Sequence, residues 1–201
     1  MAAQIVHRDS CAPDLQEKLD RISEVCPESR GEVLGPTLKR ILQENSGLRS
    51  KRRRLLALVD RLGAAIAAHA PCKPGCDACC HIPVFTYEHE AQALGVLTRR
   101  IPKKLPRRSI QAAVEAGEQF SGQTCPFLDL DPVRGISVCS VYDIRPFACR
   151  QCHSLGKTSE GCGSSNGDVA SLGAGRYVEQ AYIQCLEPGA SFGDIREFFP
   201  E

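Results

Sequence analysis

Apolar residues recur three or four apart over the first third of the chain, the spacing of one helical face. Leu15, Leu19, Ile22 and Cys26 form such a stripe over residues 13–28, with Pro13 near its start. A second stripe takes in Val33, Leu34, Leu38, Ile41 and Leu42 and breaks at Asn45-Ser46-Gly47, a turn signal. A third runs from Leu48 to Ala68 through Leu55, Leu58, Val59, Leu62 and Ile66, and Pro71 ends it. Residues 1–70 therefore read as an N-terminal helical segment, a hairpin or small bundle. It is suited to packing on the rest of the chain or to meeting a protein partner.

The pattern changes after Pro71. Thr86 is a candidate cap for a helix from Tyr87 to Arg100, with Glu88 and Glu90 placed to favour its N-terminus. RRIPKKLPRR (99–108) has six bases, two prolines and no acid, which predicts an exposed loop. A helix follows over 107–120. CPFLDLDPVRGISVCSVY then reads as two short extended pieces around a turn at Asp131-Pro132 and Gly135. Residues 142–153 suit a tight turn and a short helix, 154–175 an irregular Gly/Ser loop, and 176–186 a last helix. Beyond it, Phe192, Phe198 and Phe199 are available for packing. The fold class expected is mainly α with a short β-hairpin. A small cysteine-rich, metal-organised domain over 71–201 follows the helical segment.

Composition sharpens this. Twelve of the 201 residues are Cys, and the bases and acids, 25 against 24, nearly cancel. Near neutrality argues against polyanion binding. The opening MAAQIVHRDSCAPD has no basic segment followed by an apolar one, and no apolar run approaches the roughly 20 residues of a membrane helix. A cytoplasmic, reducing setting is the expectation. There, dense cysteines point to metal ligation rather than to disulfides.

Eight thiols are concentrated in the middle of the chain: Cys72, Cys76, Cys79 and Cys80 in CKPGCDACC, then Cys125, Cys139, Cys149 and Cys152. Eight suffice for two tetrahedral four-thiolate zinc sites, or for one four-iron cluster with thiols to spare. Lys73, Arg145 and Arg150 stand beside them in sequence and can offset thiolate charge. Because neighbouring side chains usually diverge, Cys79 and Cys80 are expected to serve different ions, or an ion and the core. Cys11, Cys26 and Cys185 lie on helical faces and read as small buried hydrophobes. Cys162 falls in the Gly/Ser loop and has no assigned role.

CKPGCDACCH, CPFLD and CSVYDIRPFACR together resemble the YkgJ-type cysteine-cluster family, a zinc- or iron-chelating domain. Cys76, Cys79, Cys80, Cys125, Cys139 and Cys149 fall on its pattern, as do Tyr142, Arg145, Pro146 and Arg150. The chain departs from it at the first cysteine, where three residues rather than two separate Cys72 from Cys76. The resemblance covers residues 72–152 and implies zinc or an iron–sulfur cluster as cofactor. Relatives of the family include flagellin lysine methylases, so it also admits a protein-modifying enzyme that uses S-adenosylmethionine.

Other motifs carry less. CKPGCDAC has the thiol spacing of radical-SAM enzymes, but their partial barrel needs more alternating strands and helices than follow here. CRQCH at 149–153 has c-type haem spacing, without an export signal or a second axial Met. His81 and His153 read as polar neighbours of the thiols. The basic run 49–54 with 99–108 suggests a nucleic-acid-binding zinc module, against which near-zero net charge and few aromatics weigh. No GxSxG, P-loop, HExxH or Rossmann fingerprint is present. Asp129, Asp131 and Asp143 lie near the cysteines but suit turns.

Overall fold

The computed structural model describes residues 13–71, 75–153, 155 and 173–200. These fall into two compact units: 13–71 with 153, 155 and 173–186, and 75–152 with 187–200.

In the first unit, helices α1 (Pro13–Val25), α2 (Gly31–Gln43) and α3 (Leu48–Ala67) follow the three apolar stripes closely. Helix α7 (Gly173–Ile183) packs against α2 and α3. Ile22, Leu34, Ile41, Leu55, Leu58 and Val59 are buried with Val178 and Tyr182 of α7. Cys26 and Cys185 are buried here too, in the apolar role expected of them. Helix α3 stops at Ala67, short of Pro71, in a turn at Ala68-His69. The basic run at the start of α3 is substantially committed within the unit. Lys51 donates to the Leu42 carbonyl and Arg52 to the Cys185 carbonyl, both at 2.6 Å, and Arg54 pairs with Glu44. This local bonding favours a structural role for the run.

The second unit holds both sheets. Strands β2 (Leu128–Asp131) and β3 (Ile136–Cys139) form the anticipated hairpin, with Leu128 opposite Cys139. Its turn follows from side-chain chemistry. Asp131 Oδ1 accepts the Val133 and Arg134 amides, and Gly135 adopts φ +63°.

The other sheet has no sequence signal. Strand β1 (Phe85–Tyr87) pairs antiparallel with β4 (Phe192–Asp194), over a hundred residues later. Thr86 lies fully buried in β1 opposite Gly193, so it is not the cap of α4 (Glu88–Thr98). Thr is β-branched as well as a good cap, and strand pairing claims it. The cap is instead supplied by Glu90, whose Oε2 accepts the Tyr87 amide at 3.1 Å.

After α4 come α5 (Ile110–Gly117), capped by Ser109, then α6 (Phe147–Gln151) and α8 (Ile195–Phe198). Val84, Leu94, Leu105, Cys125, Phe127, Val141, Ile195, Phe198 and Phe199 make the core. Segment 99–108 is only partly the exposed loop expected. Arg100 lies over the Phe127 and Phe199 rings at 5.2 and 5.3 Å, Leu105 is buried, and Arg108 pairs with Glu197. Arginine can do this because its stem is apolar and its guanidinium stacks on rings.

Glu88 ties the tail to α4: its Oε2 accepts the Ser191 amide and hydroxyl, each at 3.0 Å. The Ser191 amide above all holds this carboxyl below its ordinary value of 4.5. A depressed folded value gives stability that is present above the unfolded value and lost as pH falls through the folded one. Urea unfolding from pH 6 to 3 is expected to show a steeper acid loss in wild type than in Glu88→Gln. Equal slopes would refute the linkage.

Candidate metal centre

The thiols of the second unit come from the ends of short elements, where the backbone turns and side chains can converge. Cys79 and Cys80 lie in a 3-10 turn, Ala78–His81, closed by the Cys80 amide donating to the Asp77 carbonyl at 2.7 Å. Cys125 is held beside this turn, since its amide donates to the Cys80 carbonyl at 2.8 Å. Cys139 ends β3, Cys149 lies in α6, and Cys152 follows that helix directly. Glu90 fixes the start of α6: its Oε1 accepts the Phe147 amide at 2.9 Å. One buried carboxylate therefore holds the first turns of both α4 and α6.

Electrostatic contacts join six of these thiols. Hydrogen bonds from the Cys152 and Cys80 thiols pull Cys79 down to about 3, with Arg145 adding to the effect. Cys80 moves far upward, first as the donor to Cys79, then through burial and the nearby Cys125 and Cys139. Burial pushes Cys125 up to about 11, with the Phe127 amide and Arg196 opposing it. Burial also raises Cys139, and raises Cys149 well above 9.0, with Cys79 adding to both. One thiolate is thus easily formed, and each further one is resisted by its neighbours.

Cys79 and Cys80 share one 3-10 turn. The 3-10 turn brings their sulfurs into hydrogen-bonding reach. Cys76 is half-buried, next to Gly75 at φ +92°. Cys72 lies outside the described residues, as do Cys11, Cys162 and Lys73.

Among the described residues no disulfide is formed, and no three or more His, Cys, Asp or Glu side chains are already arranged to hold an ion. The donor set nevertheless suits a soft or borderline cation. Several thiolates cannot share this buried space without positive charge, and a divalent ion supplies it. Arg145 contributes part of that charge, stacked at 4.1 Å on Tyr142. Arg150 braces it by donating to the Arg145 and Asp143 carbonyls. Asp131 serves the hairpin turn, as its residue type suggested. His81 pairs with Asp77 at 3.7 Å, and His153 is buried.

Sequence reasoning missed Glu90 as a capping residue for α6, and it missed Asp194 and Arg196 altogether. Asp194 with Glu197 carries a capping-box signal for a helix start, but nothing local announces where Arg196 reaches.

Thiols from three separated segments, with guanidinium charge beside them, thus mark a cysteine-rich unit. Residues 71–165 match the family model CxxCxxCC, described as a "putative zinc- or iron-chelating domain". No curated protein and no solved structure matches the chain. No helix among the described residues is long and apolar enough to cross a membrane.

Proposed function

We propose that the second unit binds zinc or an iron–sulfur cluster through Cys79, Cys80, Cys125, Cys139, Cys149 and Cys152, in a reducing, cytoplasmic setting. Cys72 and Cys76 are the remaining thiols of the set. The observation that carries this reading is the packing of Cys80, Cys125, Cys139 and Cys149 about one core, with Cys79 beside Cys80 in the same turn. Arg145 and the surrounding core would hold the thiolates in place and limit water. A bound zinc ion would add folding free energy, and an iron–sulfur cluster would add electron transfer.

The test is purification without oxygen, followed by metal and sulfide analysis and a visible spectrum. Absorption near ~400 nm with acid-labile sulfide indicates a cluster, and stoichiometric zinc in a colourless protein indicates the simple ion. Chelation of either form is expected to lower the thermal midpoint of the cysteine unit. Protein that takes up neither metal would sink the proposal.

A further inference from the structure

Arg196 lies in α8, outside the family match, yet its guanidinium reaches into the thiol-bearing loops. The residue is 6% exposed and its partner Asp194 is fully buried. Nη2 donates to the Cys80 carbonyl at 3.0 Å and to the Gln123 carbonyl. Nε donates to the Thr124 carbonyl at 3.2 Å, and Nη1 to the Ile82 carbonyl at 3.3 Å and to Asp194 Oδ1 at 3.1 Å. Asp194 Oδ2 in turn accepts the Val84 amide at 2.7 Å, and β4 pairs with β1.

Two loops meet at this guanidinium. One, 80–82, carries Cys80; the other, 122–125, carries Cys125. They touch each other directly through Cys125 N–H to Cys80 O and Gly122 N–H to His81 O, at 2.8 Å each. Arg196 gives donors to four carbonyls there. Two further features fit an organising role. A planar fork with five N–H donors matches this divergent set of acceptors, which an ammonium cannot span. The buried carboxylate fixes the fork's orientation.

We propose that Arg196 is a positioning residue of the metal centre: it locks the Cys80 and Cys125 loops together so that both sulfurs are presented as ligands. The C-terminal tail is then part of the metal module rather than an appendage to it. This inference rests on the metal reading above and concerns a residue that the family match does not include.

The test compares full-length wild type with Arg196→Gln, Arg196→Lys and a control in the same tail, Phe192→Leu. Phe192 stacks on Phe85 at 5.4 Å and makes no contact assigned to the thiols. Co(II) is the probe, because thiolate-to-cobalt charge-transfer bands report ligand number and geometry. Arg196→Gln is expected to weaken Co(II) binding at least tenfold, at the low end of the roughly 10–100-fold typical when a residue behind the ligands is lost. Its band should also shift. Arg196→Lys should recover only part of both, since it restores charge without the fork. Phe192→Leu should lower the unfolding midpoint and leave the band in place. Wild-type affinity and band in Arg196→Gln would overturn the proposal, and so would the same shift in Phe192→Leu. If Arg196→Gln does not fold, Arg196→Lys is judged by the same criteria.

If wild type binds no metal, the metal reading fails by itself, and positioning is read in metal-free protein. Alkylation of Cys80 and Cys125, mapped by mass spectrometry, should then be faster in Arg196→Gln and unchanged in Phe192→Leu. Unchanged rates in Arg196→Gln would overturn the positioning role.

Discussion

Cys79→Ser is expected to remove nearly all of the metal bound by the anaerobically purified protein. Cys79 is the focus of the cluster, taking hydrogen bonds from the Cys152 and Cys80 thiols and standing within the field of Cys139 and Cys149. A hydroxyl in its place is neither ionised nor soft, so a ligand is lost. Substitutions behind the ligands already cost about 10–100-fold in affinity, and a missing ligand costs more. Cys80→Ser provides the finer comparison. Because the two sulfurs stand together, both changes should abolish the same metal; a loss of half in each would assign the pair to two ions. Cys185→Ser is the control. That thiol is buried in the helical unit, where an unpaired hydroxyl costs about 1–3 kcal/mol and touches no metal. Full metal retention in Cys79→Ser, by elemental analysis and competition with a chelating dye, would refute the assignment.

Asp194→Ala should be the most destabilising single change in the cysteine unit. Asp194 is fully buried, and burial raises its carboxyl above the ordinary value of 3.8 against the pull of the Arg196 and Val84 amides and the Arg196 charge. Folding therefore holds this charge at some expense, and a buried ion pair is not in itself a source of much net stability. Removing one partner is different, because it leaves the Arg196 charge buried without its counterion. The cost expected is about 3–5 kcal/mol. Asp194→Asn keeps an acceptor for the Val84 amide and the shape of the cap, and should cost less. Equilibrium urea unfolding measures both. A loss below about 1 kcal/mol in Asp194→Ala, the range of exposed ion pairs, would mean that Arg196 is not held as described.

Much of the helical framework is legible from residue order because its causes are local. Stripes three to four residues apart define α1, α2 and α3, and Asn45-Ser46-Gly47 separates the last two. The hairpin is equally local, since Asp131 and Gly135 supply the turn they advertise. Where the reading failed, two local preferences competed or the partner was remote. Thr86 suits both a cap and a strand, and only Gly193, more than a hundred residues away, settles the choice. The bases of 99–108 read as solvated charge, yet Arg100 finds two aromatic rings and Arg108 a carboxylate.

The thiols follow the same division. Residue order alone shows that CKPGCDACC, CPFLD and CSVYDIRPFACR follow one family pattern, because cysteine type and spacing are written directly in the chain. Tertiary structure decided which of these segments share a core. It closed the turn that brings Cys79 and Cys80 together, paired β1 with β4, and carried Arg196 from the tail to the carbonyl of Cys80. It also packed α7 against α2 and α3. Periodicity reports only which face of an element is apolar, whereas a buried guanidinium is placed by acceptors that lie far from it in sequence.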